Sequence, residues 1–276
     1  MSKSCEWGYT EQNGPSTWPS KFPQAAGSRQ SPVDVKTEIA TSDETLKMKP
    51  LTWRYKPTIC KQIVNPGYGW RVDVQGDDQT ASELAGGPLG NKYRLEQFHC
   101  HWGRDSTTGS EHTVDGKSYS GELHLVHWNC EKYKTFGEAA QHSDGLAVLG
   151  VFLEVSDKSH SEIEKIVSLI KRIVYRGQSA TVEEDIDPSK LLPSTDLHYW
   201  TYLGSLTTPP CTESVTWIIF KEPIRVSEDQ LAIFRSLRSY SQQEACPLDE
   251  HNGHVLHNYR PPLPLGNREL RECGSM

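Results

Sequence analysis

The stretch QFHCHWG at residues 97–103 sets two histidines at alternate positions of a short aromatic run, with a cysteine between them. Along a β-strand successive side chains point to opposite faces, so Gln97, His99 and His101 share one face while Phe98, Cys100 and Trp102 share the other. The aromatic content favours a strand, and Gly103 with the polar run RDSTTGS behind it supplies the end. Strand geometry puts the Cα atoms of the two histidines roughly 6.7 Å apart, close enough for both rings to lean onto one ion at about 2.0–2.1 Å from each nitrogen. Two ordinary core or surface histidines would leave the same His-x-His pattern, so the pair by itself is half of a metal site at most.

The other half is sought further along. Starting after His101, the run ELHLVHWN at 122–129 places Glu122, His124, Val126 and Trp128 on one face and Leu123, Leu125 and His127 on the other. His124 is the candidate third ligand. His127 lies off that face and reads as a core histidine bonded to backbone, as does His112. Gln97 precedes His99 by two residues and Glu122 precedes His124 by two, each pair on a common face. An oxygen so placed accepts the second N–H of a metal-binding imidazole, fixes its tautomer and raises its basicity. Three neutral imidazoles with no thiolate or carboxylate leave zinc a fourth position for water, the catalytic arrangement. A structural zinc would be closed by four protein ligands, usually including cysteine, and Cys100 points the wrong way.

The whole chain narrows the function classes. At 276 residues the length admits one large domain or two ordinary ones. A net charge of -7, with 29 basic and 36 acidic residues scattered along the chain, offers no basic patch for nucleic acid or anionic lipid. The N-terminal MSKSCEWGYTEQNG has no apolar core of a signal peptide, and the longest apolar run, GLAVLGVFLEV at 145–155, is too short to cross a bilayer. A soluble, unexported protein is expected, with no membrane and no nucleic-acid partner. Seven cysteines at 5, 60, 100, 130, 211, 246 and 273 form no Cys-x-x-Cys pair, and an odd count leaves at least one thiol free, which fits a reduced compartment.

Residues 1–32, rich in Gly, Pro, Ser and aromatics without periodicity, predict an ordered but irregular arm over a sheet. The runs GWRVDVQ, KYRLEQFHCHW, GELHLVHWN, LAVLGVFLEV and SVTWIIF, separated by Gly, Pro and Asp clusters, predict strands. A helix is predicted over 161–176, where Ile163, Ile166, Val167, Ile170, Ile173 and Val174 recur at helical spacing, with Ser161 and Glu164 as capping box and Gly177 as stop. A second begins at Ser227, with Gln230 completing its box, and runs through Leu231, Phe234 and Leu237. With no repeat, low-complexity tract or composition break, a single mainly β (α+β) domain over 1–276 is expected.

Taken together, the blocks WGYTEQNGP, RQSPVD, QFHCHWG, GSEHTVDG, GELHLVHWN, DGLAVLGVFLEV, SLTTPPC and NYRPPLPLGNR resemble, in order and over almost the whole chain, the α-class carbonic anhydrases. The resemblance implies a large, twisted, mostly antiparallel sheet with peripheral helices and a zinc at the bottom of a conical cleft. It implies zinc-dependent reversible hydration of carbon dioxide to bicarbonate and a proton, by attack of zinc-bound hydroxide, with sensitivity to sulfonamides. The ligands carried over are His99, His101 and His124, and their acceptors the side chains of Gln97 and Glu122 and the backbone carbonyl of Asn258. Thr207 resembles the family's gatekeeper threonine: ionised Glu111 can only accept, so the threonine donates to it and accepts from the nucleophile. Thr208 resembles the neighbour that bonds substrate. Carbon dioxide is apolar and needs a dry wall; strand parity offers Val126 beside His124 and Val215 beside Trp217, and the resemblance adds Val148, Leu206 and Trp217 itself. Ordinary core packing would leave the same residues. Cis bonds before Pro32 and Pro210 are likewise implied.

Three positions depart from the family pattern. Tyr68, in NPGYGW, stands where the fastest members carry a proton-shuttling histidine. A tyrosine titrating near 10 accepts a proton from water of pKa near 7 uphill by roughly 3 units, or about 4 kcal/mol. Arg71 replaces a neutral amide near the cleft, either to alter anion or inhibitor preference or as an exposed side chain with no role. Ala25 fills the place of the cysteine that pairs with Cys211 in secreted members, which matches a cytoplasmic, cytosolic-type assignment, and VNPGYGWRVDV looks most like the invertebrate branch. Two rivals remain. A cupin-like metal oxygenase would use His-x-His with Asp105, but its second block is missing around His124. A metal-free binding module of the same scaffold would lack one of the three histidines.

Overall fold

Residues 93–102 do form a strand, and the alternation continues across its neighbours. The computed structural model describes residues 6–75, 82–193 and 198–274, so Cys5 lies outside it. The elements that carry the site are β1 (Cys60–Val64), β2 (Arg71–Val74), β3 (Tyr93–Trp102), β4 (Gly121–Asn129), β5 (Leu146–Val155), β6 (Tyr199–Gly204) and β7 (Val215–Phe220), with helices α1 (Ser161–Ile170) and α2 (Glu228–Phe234). Each of the five runs predicted as strands falls on one of these. Among the described residues the main sheet has 13 strands, its centre ordered β1-β2-β3-β4-β5-β7-β6. The joins from β1 through β5, and that between β7 and β6, are antiparallel. The β5–β7 join is parallel, so the sheet is mixed.

Register turns one-strand parity into rows across the sheet. One row runs Arg71, His99, His124, Gly150; the next runs Asp73, Gln97, Val126, Val148, Trp217; a third pairs His101 with Glu122 and Phe152. An irregularity between Leu95 and Gln97 sets this register. Directly opposed residues project from the same face, so all three rows look into one cleft. The opposite face carries Phe98, Cys100, Leu123, Leu125, Leu149, Val151 and Ile218, buried in one apolar cluster with Ile163, Ile166, Ile170, Leu231 and Phe234 of the helices. Full burial of each such large side chain contributes roughly 1.5–3 kcal/mol. This face therefore offsets the cost of the polar one.

Helix α1 is shorter than its periodicity predicts. It ends at Ile170 and tightens, Arg172 and Ile173 donating three residues back to Leu169 and Ile170. Its cap is His160, whose Nδ1 accepts from the Ile163 N–H at 3.5 Å, and not Ser161. The reason is tertiary: Gln230 of α2 bonds both backbone groups of His160 and donates to Glu164 at 2.9 Å, which takes Glu164 away from a box with Ser161. The box of Ser227 and Gln230 forms as the spacing implies, and α2 stops at Phe234, with Leu237 in the turn beyond. The N-terminal arm is less irregular than expected. It holds short helical turns at Pro15–Thr17, Trp18–Lys21 and Pro23–Ala26, and packs Trp18 and Tyr9 against Ala25 and Cys211. The peptide bonds before Pro32 and Pro210 are cis.

Candidate metal centre

His99 and His101 come from β3 and His124 from β4, and ligand-capable nitrogens of the three lie within 4.8 Å of one another. Each ring has one nitrogen committed to an oxygen that only accepts. His99 Nδ1 meets Gln97 Oε1 at 2.8 Å, His101 Nδ1 meets the Asn258 carbonyl at 2.7 Å, and His124 Nε2 meets Glu122 Oε1 at 2.8 Å. The proton of each neutral imidazole must therefore sit on that nitrogen, leaving Nε2 of His99, Nε2 of His101 and Nδ1 of His124 as bare acceptors. The bare nitrogens of His99 and His101 face each other at 3.1 Å with no donor between them. Two lone pairs at that distance repel unless a cation lies between. Tetrahedral coordination with bonds of about 2.0–2.1 Å would set such nitrogens about 3.3 Å apart, so the donor set fits a zinc ion.

Electrostatics keeps the rings in the ligand form. Burial lowers the pKa of all three; the neighbouring imidazoles add to this at His99, and His101 is held at about 3. Glu122 is the opposite case. Despite complete burial its carboxyl is held well below the usual range by His112 and His124, and it accepts from the backbone N–H of Glu111 and His112 at 2.9 and 2.8 Å. Those bonds charge-assist a buried anion. His112 is more than a core histidine bonded to backbone: its Nδ1 donates to Glu122 Oε1 at 2.7 Å, and Tyr202 Oη lies 2.7 Å from both its Nε2 and Ser31 Oγ. That chain was not legible beforehand, because His112 sits outside any long strand where parity could be applied. His112, Glu122 and His124 also converge, but both imidazoles spend a proton on the carboxylate there, so this second group is a hydrogen-bonded cluster and no metal site.

Glu111 lies behind the triad, fully buried, 3.4 Å from His101 Nδ1. Its Oε1 accepts from the Arg260 N–H at 2.8 Å, while Oε2 is buried with no hydrogen bond. Burial and then the charge of Glu122 push its pKa well up; the Thr207 hydroxyl and Arg260 work against them. Thr207 is thus close enough to influence the carboxyl without completing a bond to Oε2. Trp217 packs its ring 4.8 Å from that of His124 and donates Nε1–H to the Ser205 carbonyl. Val126 and Val148 are buried opposite one another, Val148 beside Trp217, and Val215 and half-buried Leu206 join the same apolar cluster. Gly150 was missed. A Cβ there would come within 3.2 Å of Glu122 Oε1, so the absent side chain makes room for the carboxylate.

A small cavity of about 70 Å³ opens onto His99 and His101 and is also lined by Gln97, Thr208, Tyr68 and Arg71. Tyr68 leans on Trp7, ring centroids 4.3 Å apart, and its carbonyl accepts from Asn258 Nδ2. Comparison with known proteins agrees with this geometry. The family model for eukaryotic-type carbonic anhydrase matches residues 13–274. The chain is 48% identical over 269 residues to carbonic anhydrase 1 of Mus musculus, covering 97% of this chain and 98% of that one. It is 46% identical over 266 residues to carbonic anhydrase 7 of Homo sapiens, covering 96% of each. A match of that extent and a face of bare imidazole nitrogens point the same way, and the chain belongs to the eukaryotic-type carbonic anhydrase family.

Proposed function

We propose that the reversible hydration of carbon dioxide catalysed by this chain runs on a zinc ion held by His99 Nε2, His101 Nε2 and His124 Nδ1. The observation that carries this is the pair of bare nitrogens 3.1 Å apart, each opposite a committed N–H. When bound, zinc supplies Lewis acidity that brings the pKa of a water to about 7, a value established on carbonic anhydrase itself. The chain's own residues do the rest. Gln97, Glu122 and the Asn258 carbonyl hold the imidazole protons away from the ion. The positive charge of a bound zinc would oppose the burial that raises the Glu111 pKa, and as carboxylate Glu111 would accept the Thr207 proton and leave a hydroxyl lone pair facing the centre. Val126, Val148, Leu206, Val215 and Trp217 exclude water from the place of apolar carbon dioxide, and Thr208 bonds the substrate.

Tyr68 is read as a poor proton carrier, its phenol mismatched to the donor by about a thousandfold. Turnover is then limited by proton export and rises with small imidazole buffers; equal rates in dilute and concentrated buffer would overturn this. A cytoplasmic place is supported by the free state of all six described cysteines, with Ala25 packed near Cys211. Among the described residues no helix is long and apolar enough to cross a membrane. Stopped-flow hydration with and without a chelator tests the metal reading. Activity should vanish on chelation, return with zinc, and be blocked by sulfonamides. Redox-active iron or manganese in the purified protein, or undiminished activity without metal, would sink it.

A further inference from the structure

Arg71 is the charged side chain of the cleft that the hydration reaction leaves without a role. It stands directly across the β2–β3 join from His99 and projects from the same face. Both line the cavity of about 70 Å³, where Arg71 is the one lysine, arginine, aspartate or glutamate among the described lining residues. Asp73, opposite Gln97, fixes the guanidinium: Nε donates to Oδ1 at 2.6 Å and Nη2 to Oδ2 at 3.2 Å. Of the five N–H donors in a guanidinium, the two on Nη1 make no hydrogen bond among the described residues. The fork is thus held at one edge and open at the other. The chain as a whole carries a net charge of -7 and repels anions, which makes a local cation at this mouth matter.

The chemistry is asymmetric. Carbon dioxide enters neutral, while bicarbonate leaves as an anion, so a fixed positive charge beside His99 acts on one side of the reaction only. We propose that Arg71 is a specificity-determining residue that docks small monoanions, bicarbonate among them, at the mouth of the metal centre through its free Nη1 edge. The proposal rests on the zinc reading above. Asp73 both aims the guanidinium and partly neutralises it, and this gives the test its discriminating sign.

Thiocyanate serves as the probe on the zinc-loaded enzyme, its affinity read by calorimetric titration and by inhibition of hydration, with uncharged phenol as control. Arg71→Gln should weaken thiocyanate about three- to tenfold, as expected for one partly exposed charge. Arg71→Lys should recover part of the loss, since it keeps the charge without the fork. Asp73→Asn should tighten thiocyanate, because it unmasks the guanidinium. Phenol should bind all variants alike. If Arg71→Gln and Asp73→Asn shift thiocyanate in the same direction, the pair is only a structural strut and the proposal falls; it falls also if neither shifts it. A wild-type protein that holds no zinc and hydrates no carbon dioxide would instead overturn the reading of the metal centre.

Discussion

His124 and His127 sit three residues apart on β4, both buried to within 1% of full, and point to opposite faces. Both imidazoles are lowered in pKa by burial. The difference lies in the second nitrogen. His127 has both committed: Nε2 meets Tyr55 Oη at 2.7 Å and Nδ1 donates to the Ala147 carbonyl at 3.3 Å. His124 has one committed to Glu122 and the other turned toward the rings of His99 and His101, at 5.3 and 4.6 Å between centroids. Burial does not mark a ligand. A bare acceptor converging on other bare acceptors does, because only a cation relieves it.

The sharpest way to break the comparison is to truncate each ring. His124→Ala should abolish zinc binding, seen by metal analysis after dialysis, and bring hydration to background. His127→Ala should keep both. A zinc-free His127→Ala protein that still folds would show that the two faces are not independent. Next in size, Glu122→Gln replaces the charged acceptor that polarises His124 by a neutral amide oxygen and should weaken zinc about 10- to 100-fold, measured by competition with a chelator. Retained affinity would mean that the buried carboxylate serves only His112.

Stability should respond in the reverse order. His127→Ala leaves the Tyr55 hydroxyl and the Ala147 carbonyl without partners in a closed core and should cost about 2–4 kcal/mol in denaturant titration. The smallest effect is a pH slope. Burial holds His127 at about 3 in the folded chain, against about 6.5 unfolded. Between those values the unfolded chain takes up a proton that the folded one refuses. Stability is therefore full above about pH 6.5 and falls as pH drops toward 3, with a slope of one proton from this residue. His127→Gln should flatten that slope by one proton; an unchanged slope would mean that the ring is charged in place.

Legibility followed the range of the interaction. Parity placed Gln97, His99 and His101 together, and Glu122, His124 and Val126 together, because side-chain direction in a strand depends only on the residue's own backbone. The start of α2 was readable for the same reason, its cap and box lying within four residues. The start of α1 was not, since Gln230, some 70 positions away, takes the groups a local box would use. The Asn258 carbonyl, 157 positions from His101, entered by resemblance alone, and the chain from Glu122 through His112 and Tyr202 to Ser31 was not read at all.

From the residues alone came three imidazoles on two strand faces, their partners two positions away, and a chain with neither a basic patch nor a long apolar span. The tertiary structure decided that His99 stands opposite His124 and not one residue off, that Arg71 shares their row, and that Glu111 is sealed behind them. Strand register depends on a bulge and on packing between distant segments, and a slip of one residue sends a whole side-chain set to the other face. That is why the three histidines could be picked out from the chain, while the place where they meet could not.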